Sequence, residues 1–143
     1  NEFFKLLSLK ENSLEKILKT LYKVPSYGQQ QKLYLSFATK LLHTIDNDSP
    51  IYDRNVAYVL KLTSQSTGTL EVKIKNRIDI YSELKNNFGL LLKNPEIVSR
   101  LKDIRKEIFK ATTTDNFEWK DNLVSDTKLL DSSLWALYDF MRK

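Results

Sequence analysis

An all-α fold, either a compact bundle or a short right-handed superhelix of six to eight helices, is the expectation for this 143-residue chain. Three observations point there. Aliphatic and aromatic residues recur at steps of three and four through most of the chain, the spacing of one helix face. Only three glycines and three prolines occur, too few for a fold built on many tight turns. There is no cysteine, so no disulfide framework or thiolate zinc site is available, and a packed core must hold the chain together. With 41% hydrophobic residues, among them seven Phe, seven Tyr and two Trp, a chain of this length can bury such a core. A single helical domain over residues 1–143 is expected. The start at Asn1 rather than Met reads as a domain excised from a larger protein, or as a processed product.

The elements follow in order. EFFKLLSL and SLEKILKTLYKV read as two short helices, the second ended by Pro25 and Gly28. In QQQKLYLSFATKLLHTID, Leu33, Tyr34, Phe37, Ala38, Leu41, Leu42 and Ile45 make one wide apolar stripe. IYDRNVAYVLKLTS follows the start cluster Asp48, Ser49 and Pro50, with Tyr52, Val56, Val59 and Leu60 as its stripe. Gly68 breaks the pattern. Thr69 then caps a helix whose face carries Leu70, Ile74, Ile78, Tyr81, Leu84 and Phe88. NPEIVSRLKDIRKEIFK opens on Asn94 as N-cap, with Pro95 in the first turn and Glu96 at the positive end of the dipole. Its seam of Ile97, Leu101, Ile104 and Ile108 is expected to be buried, so Ile104→Asp is expected to unfold the domain. TTTDNFEWKDN reads as a loop or single turn around Phe117 and Trp119. SDTKLLDSSLWALYDFMRK closes the chain as one or two helices carrying Leu130, Leu134, Trp135, Leu137, Tyr138 and Met141.

The net charge of +5 is unevenly spread. Residues 1–44 hold seven lysines against three acids, and residues 93–110 hold six basic residues against three acids. Residues 45–92 are balanced, and residues 111–143 carry four basic against six acidic side chains. Such basic segments suit nucleic acid or an acidic surface, but acids lace the second of them. Asp103 and Glu107 stand among Arg100, Lys102, Arg105 and Lys106, which describes a salt-bridged helix exterior better than a phosphate-binding face. The candidate binding residues are therefore Lys16, Lys19, Lys23, Lys93, Arg100, Arg105 and Lys110. They form one edge only if the early and late helices meet. Trp119, in polar surroundings, is a candidate anchor for a partner. Tyr22, Tyr27, Tyr34, Tyr58 and Tyr81 are expected to offer partly exposed contact surface.

Catalytic chemistry finds little footing. His43 is the lone histidine, which leaves a zinc site and a Ser-His-Asp triad poorly supported. DNDSPIYD lacks the central glycine and closing glutamate of a calcium loop and reads as a helix end followed by a cap. Asp79 and Glu83 share a helix face with Lys75 and read as solvated. Gly68 alone does not make a phosphate-cradling loop. No apolar run approaches the roughly 18 residues of a membrane span.

Residues 29–110 resemble the right-handed helical superhelices of the VHS and CTD-interacting type. The likeness rests on QKLYLSFATKLL as a long central helix and on VKIKNRIDIYSELKNNF followed by NPEIVSRLKDI as paired helices. The resemblance implies an all-α fold and peptide or lipid binding, and it places no binding residue on this chain.

The expected function is that of a non-enzymatic helical interaction domain, taking a peptide or helix of a protein partner in a groove between helices. The alternative is nucleic-acid or acidic-surface binding through segments 5–23 and 93–110. No catalytic residue, cofactor or metal is expected, and a soluble, intracellular setting is favoured.

Overall fold

The computed structural model describes residues 2–25, 31–64, 67–112 and 124–143. Among them are seven helices and no strand: α1 (Glu2–Ser8), α2 (Leu14–Tyr22), α3 (Leu35–Ile45), α4 (Arg54–Val59), α5 (Leu70–Leu91), α6 (Pro95–Thr112) and α7 (Asp126–Met141). The all-α expectation therefore holds, and the closing segment is one helix.

Local chemistry explains most of the boundaries. Ser13, Asp53, Thr69 and Ser125 each accept a hydrogen bond from an otherwise orphaned N–H in the first turn of α2, α4, α5 and α7 respectively. Asn94 does the same for α6, accepting from Glu96 N at 2.9 Å and Ile97 N at 3.4 Å. Two helix stops use lysine where glycine is usual. After α1, Lys10 takes φ +50°, Glu11 N donates to Leu6 O and Lys10 N donates to Leu7 O. After α4, Lys61 takes φ +56°, with Leu62 N donating to Ala57 O and Lys61 N to Tyr58 O. Both are Schellman stops, and the second is completed by burial of Leu62 and Ala57.

α1 and α2 pack on each other and on α3, α2 also packs on α5, and α7 takes α4 on one side and α6 on another. All seven helices place a side chain in one core, from Leu6 of α1 through Ile17, Leu41, Val56, Leu84 and Leu101 to Leu134 of α7. Three polar residues are buried among the described ones, Thr39, Thr127 and Asp131, and of these Thr39 of α3 is fully enclosed. Its hydroxyl donates to Leu35 O at 3.0 Å and accepts from Tyr52 N at 2.9 Å, so it ties α3 to the segment entering α4. Thr39→Val leaves that N–H without its partner, and the expected loss is about 1–3 kcal/mol, read as a lower urea midpoint at unchanged m-value.

Several expectations need correction. α4 starts at Arg54 with Asp53 as cap, not after Pro50, because Pro50 and Ile51 are buried as an extended segment. Phe37 is 54% exposed although it lies on the α3 stripe. Ile104 is 38% exposed, so only Leu101 of the α6 seam is fully buried, with Ile97 and Ile108 half-buried. Tyr81 is buried rather than surface, whereas Tyr58 is exposed and Tyr22 and Tyr34 are half-buried. On α7, Trp135, Leu137 and Met141 are exposed, whereas Leu130 and Leu134 of the expected set are buried, and Leu129 is buried beside them. Tyr27, Gly28, Phe117 and Trp119 lie outside the described residues.

Candidate functional site

The turn between α3 and α4 is built from carboxylates and hydroxyls that satisfy one another. Asp46 Oδ1 accepts from Asp48 N at 3.1 Å, Asp46 Oδ2 accepts from Ser49 Oγ at 3.0 Å, and Ser49 N donates to Asp46 O at 2.9 Å. The His43 ring donates from Nδ1 to Ser49 O at 2.8 Å, which assigns that nitrogen its proton. The start of α7 is stitched to the same turn, with Ser125 Oγ donating to Asn47 O at 2.8 Å. These contacts make DNDS a helix end and a rigid ledge. Among the described residues no cluster of three or more His, Asp or Glu is placed to hold a metal ion.

Beside this ledge runs a groove of about 630 Å³, between the α3–α4 turn, the C-terminal half of α5 and the first turn of α7. That volume is within the range of small-ligand and peptide pockets. Its apolar lining comes from Pro50, Phe88 and Leu92, with Gly89 leaving the wall open. Among the described lining residues the charged ones are Asp46, Asp48 and Asp126 against the single cation Lys85. Asp126 is already paired with Arg105 at 2.6 Å, so Asp46 and Asp48 carry the uncompensated charge. Lys85 in turn lies 5.2 Å over the Tyr81 ring.

Tyr81 is the one described residue whose buried side-chain oxygen lacks a hydrogen-bond partner. Burial raises its pKa above the ordinary phenol value; the Ser49 hydroxyl nearby lowers it to a lesser degree, and the charge of Asp46 raises it further. Below about pH 10 both folded and unfolded chains keep the phenol proton, and stability is unaffected. Above it the unfolded chain releases the proton first, so stability falls as pH rises toward the raised folded value. Tyr81→Phe is expected to remove that alkaline decline in a pH series of unfolding midpoints, and at neutral pH to leave stability equal or higher.

The predicted basic residues lie elsewhere. Lys16 and Lys19 are exposed on α2, paired with Glu11 at 3.8 Å and Glu15 at 2.6 Å, and Lys23 is exposed just after it. Lys93 and Arg100 are exposed at the start of α6. Lys110 is exposed near its end, its ammonium pKa raised by the 2.8 Å hydrogen bond it donates to Glu107 and by that carboxylate's charge. Arg105 is turned inward. Its side chain is 19% exposed and donates to Val124 O at 2.8 Å and to Asp126, fastening α6 to the start of α7. The main packing partners of α2 are α1, α3 and α5, whereas that of α6 is α7, so the two basic segments rest on different neighbours. The structure does not describe Trp119.

Sequence reasoning passed over Asp46, Asp48, Lys85 and Phe88 as a set. Their one visible signal was the DNDS run itself, read only as a cap. Among the described residues no helix is long and apolar enough to cross a membrane. The fold defines an all-helical protein with an acid-rimmed groove between three segments. Comparison with protein-family models, with curated proteins and with solved structures gives no match, so the likeness of residues 29–110 to the VHS type gains no support.

Proposed function

We propose that the chain is a non-enzymatic interaction domain that takes a short basic and apolar peptide, or one turn of a helix, of a protein partner in the groove beside the α3–α4 turn. The observation that carries this reading is the pairing of an apolar floor, Phe88 and Leu92, with the uncompensated acids Asp46 and Asp48 on its rim. Apolar side chains of a partner would gain by leaving water, and a flanking lysine or arginine would meet the rim. The ledge is held by its own hydrogen bonds, so little ordering cost falls on binding.

The test is fluorescence anisotropy with labelled peptides of equal length, one rich in Leu and Arg, one in Leu and Glu, and one neutral and polar. Binding in the micromolar range by the first alone, weakened when Asp46 and Asp48 are both changed to Asn, is the expected result. The same titration with single- and double-stranded oligonucleotides across a salt series tests the acidic-partner alternative. Steeply salt-dependent oligonucleotide binding, abolished by charge reversal at Arg100 and Lys102 and accompanied by no peptide binding, would replace the groove reading.

A further inference from the structure

Another cleft, of about 310 Å³, lies between α3, the segment entering α4 and α7. Among the described residues it shares no lining side chain with the acid-rimmed groove. Lys128, Asp131 and Trp135 follow one another at steps of three and four along α7, so they share the face that lines it. Lys40 of α3 and Asp53, the cap of α4, supply lining from the neighbouring elements. The hydrogen bond from Tyr52 N to the Thr39 hydroxyl joins the residues next to both, so the core sets their spacing before any ligand arrives. Each charge is already compensated. Lys128 donates to Asp131 Oδ2 at 2.8 Å, Asp53 Oδ1 accepts from Asn55 N at 2.7 Å, and the Lys40 ammonium lies 5.6 Å over the Phe37 ring. Two cations face two carboxylates among the described lining residues, so no counter-ion is needed. Hydrogen-bonding capacity remains. Asp131 Oδ1 and Asp53 Oδ2 have no partner among the described residues, and each ammonium has N–H groups to spare. Asp131 is buried, so a donor that reaches it meets little competition from water.

We infer that this cleft binds one neutral sugar ring, its C–H face on Trp135 and its hydroxyls shared among Lys40, Asp53, Lys128 and Asp131. A carboxylate only accepts and an ammonium only donates, whereas a sugar hydroxyl does both. Hydroxyls set between the two kinds of group satisfy both at once. Trp135 is exposed on the cleft wall and offers the flat apolar surface that a sugar ring covers. A free amino acid fits less well, because its charges would compete with the Lys128–Asp131 pair. A phosphate would meet two carboxylates.

The experiment is saturation-transfer NMR and calorimetric titration of the intact chain with glucose, galactose, mannose and N-acetylglucosamine. Sorbitol, leucine and inorganic phosphate are the comparison ligands. At least one of the sugars is expected to bind, in the millimolar range that suits so small a ligand. Sorbitol keeps the hydroxyls without the ring face and is expected not to bind. Trp135→Ala is expected to weaken the bound sugar by about tenfold or more, and Trp135→Phe to keep most of the affinity, because a flat ring remains. Lys40→Met is expected to weaken it by about fivefold. Trp135 and Lys40 are both exposed, so these variants should melt as the native chain does. Phe140→Ala, which removes an exposed aromatic ring farther along α7, is expected to change nothing. The inference is overturned if none of the sugars binds, if sorbitol binds as tightly as they do, or if leucine or phosphate binds more tightly than every sugar. It is also overturned if Phe140→Ala weakens binding as much as Trp135→Ala, or if Lys40→Met leaves it unchanged.

Discussion

Leu101→Asp is expected to unfold the protein, while Ile104→Asp, one turn along the same helix, is expected to leave it folded. Leu101 is 3% exposed and belongs to the shared core; Ile104 is 38% exposed on the flank of α6. A carboxylate at position 101 has no cation or donor waiting in the core. An unpaired buried charge costs about 3–5 kcal/mol or more, set against a total stability of about 5–15 kcal/mol for a domain. At position 104 the new carboxylate turns to water, and the expected loss is about 1–2 kcal/mol. Circular dichroism with thermal melts separates the two. A cooperative, native-like melt for Leu101→Asp would show that α6 is not anchored where the core places it.

Gly89→Arg is expected to raise stability and abolish peptide binding at once. Gly89 lies inside α5, and nothing stands within 4 Å of the place its Cβ would occupy. A helix-interior glycine is about 1 kcal/mol less favourable than alanine, and arginine is close to alanine on that scale. The arginine side chain would extend into the groove and supply the cation that Asp46 and Asp48 would otherwise take from a partner. Gly89→Ala shares the helical gain without filling the groove, so it should melt higher and bind peptide almost as the native chain does. The paired readout matters because an unfolded variant could lose binding but could not gain stability. If Gly89→Arg binds the Leu- and Arg-rich peptide as tightly as the native chain, the groove is not the site.

The helices were legible because each carries its own period and most carry their own cap. Thr69 and Asn94 could be read from sequence as caps, and they act as caps. The depth of burial was not legible in the same way. The spacing of Ile97, Leu101, Ile104 and Ile108 states which residues share a face, not how far that face is covered. α6 packs mainly on α7, so its stripe is covered at one position and only partly elsewhere. Helix stops were also hidden. Lys10 and Lys61 adopt left-handed backbone angles at which glycine is the usual signal, and nothing in SLKENS or VLKLTS announces them. The candidate site was the least legible. The acid-rimmed groove joins residues near 46, 88 and 126. These segments become neighbours only through tertiary packing. The dense cations of residues 93–110 are the most conspicuous charge in the sequence, yet Arg105 is a tether there and Lys106 and Lys110 pair with nearby acids.

The pairing of α4 with α7 has a consequence for how the molecule is made. α4 is six residues long, too short to persist as an isolated helix, and its main partner is α7. Roughly 70 residues separate the end of one from the start of the other. At a synthesis rate of about 5–20 residues per second, α4 leaves the ribosome on the order of several seconds before the helix that holds it exists. During that interval Val56 and Ala57 have no α7 to cover them, and a nascent chain arrested before Asp126 should present this segment to chaperones or proteases that ignore the finished protein.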